Sequence, residues 1–207
     1  MNFPHHRFLS SAALVAFALT LGACTTITPK GTRTSFEFDP PVTQPKNPRA
    51  VKVKISTSAQ RLYVVEGDRV LLATPVTVGE AATPTPAGNF TIYSKQEHRR
   101  RVSSPGAGYP MTYWMEFKPA YGIHWGFSDD DPATHGCVRV PLKAAKKMFA
   151  IVPTGAPLNV ARTQPWDATI GKSLPVLDDE ALPNPPNSYM NSPQVFRDHA
   201  QGKMWNF

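Results

Sequence analysis

Residues 51–73 read VKVKISTSAQRLYVVEGDRVLLA. Val51, Val53 and Ile55 alternate with Lys52 and Lys54, and this period of two describes a half-buried strand. Residues 61–65 form a second apolar run, Glu66-Gly67-Asp68 is a turn, and residues 69–73 pair back as a hairpin. The same short-strand pattern continues outward. Residues 74–79, 89–93 and 111–117 are extended pieces, and Tyr121-Gly122-Ile123 is a short apolar strand. One helix is expected over 141–151. Proline opens it, where a missing N–H is harmless, and Leu142, Ala145, Met148 and Phe149 make an apolar stripe. Residues 157–161 read as a closing strand. Many short strands with one or two short helices predict a mostly β fold, a β-sandwich or open barrel, not a parallel α/β sheet.

The flanks differ from this centre. The first 23 residues carry Arg7 and an apolar run from Phe8 to Leu21, too short for a membrane span and suited to an export signal. Leu21-Gly22-Ala23-Cys24 resembles the bacterial lipoprotein signal, in which the cysteine is diacylated and becomes residue one. Thr25, in place of an aspartate, resembles the outer-membrane sorting pattern. Residues 24–49 are polar and proline-rich, and read as a flexible tether between membrane and domain. Residues 163–207 contain too many prolines for a long helix. They are also too apolar for a pure linker, with Trp166, Val195, Phe196, Met204, Trp205 and Phe207. This irregular extension is expected to wrap the domain or meet a partner. Four units result: a signal peptide (1–23), a tether (24–49), a folded domain (50–162) and the extension (163–207).

The chain of 207 residues has a formal charge of +7, which favours anionic surroundings. It has no arginine-rich arm, zinc-finger spacing or aromatic RNA-binding stripe, so nucleic acid is not an expected partner. Anionic lipid headgroups and an acidic wall polymer remain.

Chemistry concentrates in residues 121–141, YGIHWGFSDDDPATHGCVRVP. A lipidated Cys24 leaves Cys137 alone in an oxidising compartment, where an unused thiol is a liability. The alternative is a Cys24–Cys137 disulfide. A working cysteine needs a base or cation nearby, and His124 and His135 are the candidates. A loop after His124 can fold back and bring its ring beside Cys137. Backbone N–H groups around Gly136 and Cys137 suit an oxyanion. Arg139, two residues on, shares the face of Cys137 if the segment is extended, and suits a carboxylate. The bland readings stay open here: a small core cysteine, structural histidines, and a solvated turn at Asp129-Asp130-Asp131. A zinc site from His124, His135 and Cys137 with an aspartate also stays open, although the one close pair, His135-x-Cys137, is tight for chelation.

Thr134-His135-Gly136-Cys137-Val138-Arg139 resembles the signature of the bacterial L,D-transpeptidase catalytic domain, the YkuD domain. Gln60 to Val64, the turn Thr85-Pro86-Ala87-Gly88, and Met111 to Phe117 followed by Gly122-Ile123-His124 resemble further pieces of that family, in its order. Two departures stand out: Trp125 follows His124 where glycine is common, and the thirteen-residue interval from His124 to Cys137 is short.

The resemblance implies a YkuD-like sandwich with Cys137 as nucleophile and His124 as general base and acid. The Trp125 carbonyl would orient the His124 imidazole. N–H groups of His135, Gly136 and Cys137 would form the oxyanion hole, with His135 supporting the loop. Arg139 and Thr134 would bind the donor. The implied substrate is the peptidoglycan tetrapeptide stem, cleaved before its terminal D-alanine. Its acyl group would pass to an amine of another stem or of an envelope protein, with no metal or organic cofactor. Two alternatives use the same scaffold: a hydrolase, and a catalytically silent wall-binding lipoprotein. Residues 97–101, Glu-His-Arg-Arg-Arg, and the glycine-rich 103–108 are candidates to cover the donor groove, or to form a solvated loop.

Overall fold

The computed structural model describes residue 1 and residues 34–205. The expected signal peptide after residue 1, Cys24 and Phe207 lie outside the described residues. Nine strands and four helices follow in chain order: β1 (Val51–Ser56), β2 (Arg61–Glu66), β3 (Arg69–Pro75), β4 (Gly88–Thr91), β5 (Ser94–Arg100), β6 (Pro110–Lys118), β7 (Tyr121–Trp125), β8 (Val138–Val140), α1 (Leu142–Ile151), β9 (Pro157–Ala161), α2 (Ile170–Ser173), α3 (Asn187–Met190) and α4 (Gln194–Ala200). They build two sheets, ordered β3-β2-β1-β9-β4 and β5-β6-β7-β8. Pairing is antiparallel except for β1 with β9 and β7 with β8. The mostly β fold expected from the alternation is therefore present.

The alternation in β1 does what its period requires. Val51, Val53 and Ile55 are fully buried while Lys52 is exposed. They join Leu62, Val64 and Leu72 from their own sheet, and Met115, Ile123, Trp125, Val138 and Val140 from the other. Leu142, Ala145 and Met148 complete the core from α1, which packs on β6 and β7. Each such fully buried aliphatic side chain contributes roughly 1.5–3 kcal/mol. Lys95 closes the helix by donating to the Phe149 and Val152 carbonyls at 2.6 and 2.7 Å, a cation where the helix dipole is negative.

Three expectations change. Residues 97–101 do not form a loop over a groove: residues 97–100 belong to β5, and Arg101 follows it. The strand is charged because it is a sheet edge, where charge discourages pairing with other chains. The extension is not irregular throughout, since it carries α2, α3 and α4. It wraps the domain because the β2–β3 hairpin is apolar on both faces. Tyr63, Val65 and Ala73 form a second small core under Trp166 and Leu174, and the Tyr63 hydroxyl donates to Asp167 at 2.8 Å. Farther on, Tyr189, Met190 and Val195 enter the main core.

The third change concerns the tether. From residue 34 onward it is docked. Thr43 N–H donates to the Leu71 carbonyl at 2.8 Å, and Lys147 reaches Asp39 and the Pro40 carbonyl, each at 2.6 Å. Ser35 is buried and gives both its N–H and its hydroxyl to Asp179. Asp179 also accepts the Ser128 N–H at 2.7 Å, so one carboxylate joins the N-terminal segment, the His124–Cys137 loop and the extension. Asp179→Ala leaves two buried backbone N–H groups without acceptors, at about 1–3 kcal/mol each. The expected result is a melting temperature lower by about 5–10 °C, with faster amide exchange at residues 34–43. An unchanged melting curve would show that this junction carries no stability.

Candidate active site

β7 and β8 are parallel neighbours in the register Ile123↔Val138, His124↔Arg139, Trp125↔Val140. Ile123, Trp125, Val138 and Val140 face the core, so alternation puts His124 and Arg139 on the opposite face. Cys137 immediately precedes β8 and alternates onto that same face. Diagonal neighbours on paired strands lie about 7–8 Å apart, within reach of an imidazole. The register thus puts His124, Cys137 and Arg139 on one face of two adjacent strands.

His124 is buried, and its Nδ1 lies 2.6 Å from the Trp125 carbonyl. A carbonyl only accepts, so Nδ1 carries the proton and Nε2 keeps its lone pair. Trp114 stacks on the ring at 5.6 Å between centroids. Gly122 makes room for that indole, since a Cβ there would sit 2.6 Å from it. Burial lowers the imidazole to about 4, against the opposing hydrogen bond to Trp125. Burial likewise pushes the Cys137 thiol up, while the Gly122 N–H and the Arg101, Arg139 and Arg99 charges pull the other way. The resting pair is therefore neutral thiol and neutral imidazole, which suits general-base activation better than a standing ion pair. Cys137 is partly exposed and its thiol is free.

The loop before Cys137 is built differently from the expectation. Thr134 is buried, not open to a ligand. Its hydroxyl donates to the Cys137 carbonyl at 2.6 Å and accepts the Gly136 N–H at 3.1 Å. Thr134 therefore staples the nucleophile loop and does not bind substrate. The Gly136 N–H is already spent, which leaves the His135 and Cys137 N–H groups as the motif's remaining oxyanion donors. The His135 side chain is 70% exposed, with Nε2 3.8 Å from Glu80, so it does not brace the loop. A hydroxyl can donate and accept within a tight turn; the larger imidazole is directed to solvent. Gly136 has φ +102, and a Cβ there would lie 2.5 Å from the Tyr121 ring. The Thr85 turn packs nearby: Thr85 accepts the Gly79 N–H at 2.9 Å, and Thr83 donates to the Thr134 carbonyl at 3.2 Å.

Arg139 crosses Gly126, where a Cβ would meet its stem at 2.7 Å. Arg99 lies 4.4 Å over the Trp114 ring and 3.5 Å from Glu116. Arg101, whose charge also acts on both His124 and Cys137, is held by Ser103 at 2.8 Å. Three guanidinium groups thus surround the pair. Sequence reasoning marked the basic run but missed Trp114, whose register across β6 and β7 no local pattern reveals. It also missed Ser128 and Asp179. Among the described residues, no three His, Cys, Asp or Glu side chains are placed to hold a metal ion.

The model of the L,D-transpeptidase catalytic domain, YkuD, matches residues 50–160. The chain belongs to this family. A Bacillus licheniformis protein called "Putative L,D-transpeptidase YkuD" is 28% identical over 125 residues, 56% of this chain and 69% of that protein. Its Bacillus subtilis namesake is 30% identical over 117 residues, 53% of this chain and 65% of that one. An L,D-transpeptidase structure from Stackebrandtia nassauensis aligns with a TM-score of 0.50 at 24% identity, over 60% of each chain, and shows the same fold. The family domain ends before the extension, so Asp179 and the segment around it lie outside what the family model describes.

Proposed function

We propose that this chain is a peptidoglycan L,D-transpeptidase that works through a Cys137 thioester. The observation that carries the proposal is the shared face of Cys137 and His124, with Nδ1 of the imidazole held by the Trp125 carbonyl and Nε2 left as a base. His124 Nε2 takes the thiol proton as Sγ attacks the carbonyl between residue three and the terminal D-alanine. The carbonyl π pair moves to oxygen, facing the His135 and Cys137 N–H groups. Collapse breaks the C–N bond, and Nε2 returns the proton to the leaving D-alanine amine. An acceptor amine then loses a proton to Nε2 and attacks the thioester, and the sulfur leaves and is reprotonated. Arg139 and its guanidinium neighbours suit the carboxylates of the stem. No step calls for a metal or organic cofactor.

The acceptor in this proposal is an amine of a neighbouring stem or of an envelope protein. The enzyme is anchored by lipid on Cys24 to the periplasmic face of the envelope, at the outer membrane. Because the chain is docked from residue 34, the ten residues from Cys24 reach at most about 36 Å, which holds the site near the membrane.

The test is intact-protein mass spectrometry of the full-length chain in detergent, after incubation with a disaccharide tetrapeptide. A mass gain equal to the stem minus D-alanine, with cross-linked dimers released, is expected. Release of tripeptide alone would point to hydrolysis. A free, unmodified thiol on a folded protein would overturn the proposal.

A further inference from the structure

A cavity of about 210 Å³ opens beside Arg139, on the side of β8 that Thr77 bridges. One wall is Phe127, Ser128, Asp129 and Arg139; the other is the extension, including Glu180 and Asn184. The cavity therefore exists only because the extension folds back over the family domain.

Its polar groups are arranged for a ligand. The Arg139 guanidinium makes no hydrogen bond or ion pair to any described residue, although its backbone is fixed by Thr77 on both sides. The Ser128 hydroxyl is buried and has no partner among the described residues, while the Ser128 N–H is held by Asp179. A buried hydroxyl without a partner carries a desolvation penalty that a bound acceptor would relieve. A carboxylate meets both groups: two lone-pair sites for the guanidinium and one for the hydroxyl.

A lone carboxylate would, however, meet repulsion. Asp129 and Glu180 also line the cavity. Asp179 lines it too, but its oxygens are already filled by Ser35 and Ser128. Asp129 gives one oxygen to the Asp131 N–H at 3.1 Å and keeps its charge; one guanidinium against the Asp129 and Glu180 carboxylates suits a ligand with both signs on neighbouring groups.

We infer that this cavity is a subsite for a free α-amino-acid centre, with its carboxylate on Arg139 and Ser128 and its ammonium towards Glu180 and Asp129. This rests on the peptidoglycan reading for its substrate: within a stem, the far end of a diaminodicarboxylic acid at residue three carries such a centre, whereas lysine carries only the ammonium. A free amino acid presents the same chemistry.

The test is calorimetric binding to the full-length Cys137→Ala chain in detergent, with three tetrapeptides that differ only at residue three. One carries the diaminodicarboxylate, one its carboxamide and one lysine. The free-carboxylate stem is expected to bind at least about tenfold tighter than the other two, the value of one charge-assisted hydrogen-bond set. Ser128→Ala added to Cys137→Ala removes a hydroxyl that bonds to no described residue, so the fold is expected to be unaffected. It should narrow the preference to about threefold or less, with affinity for the lysine stem unchanged. Glu180→Gln should weaken all three stems alike, since all carry the ammonium. If the stems bind alike while free alanine binds in a Ser128-dependent way, the cavity takes a free amino acid and its chemistry is upheld. Equal affinities with no alanine binding would overturn the subsite. Retained preference without acylation of the wild-type chain would overturn the transpeptidase proposal and leave the subsite standing.

Discussion

Replacing Cys137 with alanine is expected to remove stem acylation altogether, by at least ~10⁴-fold, while the melting temperature stays within about 2 °C of wild type. The two halves of this prediction have different physical sources. Acylation needs a sulfur to form the bond, and no other described cysteine stands in the site. The fold barely uses that sulfur. Its contacts are weak, a long 3.7 Å approach to the Ala120 carbonyl and the nearby Gly122 N–H, and the loop around it is held by Thr134 through the Cys137 backbone. Cys137→Ser is the companion variant. It keeps the shape and a weaker nucleophile, and is expected to be nearly as inactive. Intact mass and thermal melts on both proteins decide the matter. Stem acylation at the wild-type rate in the alanine variant would end the nucleophile assignment, and a collapsed melt would show that the thiol is a core group.

Much of this was legible before any coordinates. The β1–β3 alternation was readable because each strand buries one face, or two, with aliphatic residues, and hydrophobic period reports burial directly. The stripe of α1 was readable for the same reason. His124 and Cys137 were readable because catalytic chemistry is confined to a few residue types. What escaped depends on partners distant in sequence. β5 has no apolar period because it is a charged edge. The docking of residues 34–49 turns on Ser35 meeting Asp179, 144 residues away. Proline-rich chain is extended whether it hangs free or lies on a surface, so composition could not distinguish the two. The Thr134 assignment failed at finer scale. Its hydroxyl is consumed by a turn that exists because Gly136 adopts a positive φ, and a motif does not display dihedral angles. Trp114 was hidden by the positive φ of Tyr113, which interrupts the simple alternation of β6.

His124→Ala is expected to slow acylation at least ~10²-fold, and the pH dependence carries more information than the loss itself. Burial keeps the imidazole neutral down to about pH 4, and the thiol is raised above its ordinary value. In the wild-type chain the base is therefore already unprotonated across pH 6–8, and the acylation rate should be flat there. Without the imidazole, only the small thiolate fraction reacts. That fraction grows about tenfold per pH unit while pH stays below the thiol's pKa, so the variant's rate should climb with pH by the same factor. A flat profile at wild-type rate in the variant would move the base to another group. A wild-type profile that rises steeply between pH 6 and 8 would mean that the resting pair ionises there, contrary to the burial of both groups. The acid side must be read with care for the fold. His199 is also buried and lowered to about 4, packed 4.0 Å from the Trp125 ring and hydrogen-bonded to Thr112. Both histidines bind protons near pH 6.5 when unfolded and near 4 when folded, so the unfolded chain takes up more protons between those values. Stability is full above about pH 6.5 and falls as pH drops towards 4. A loss of rate in that window reports on His124 chemistry only where circular dichroism shows the chain still folded; His199→Gln, which removes one of the two titrations, should soften the stability loss without shifting the plateau at pH 6–8.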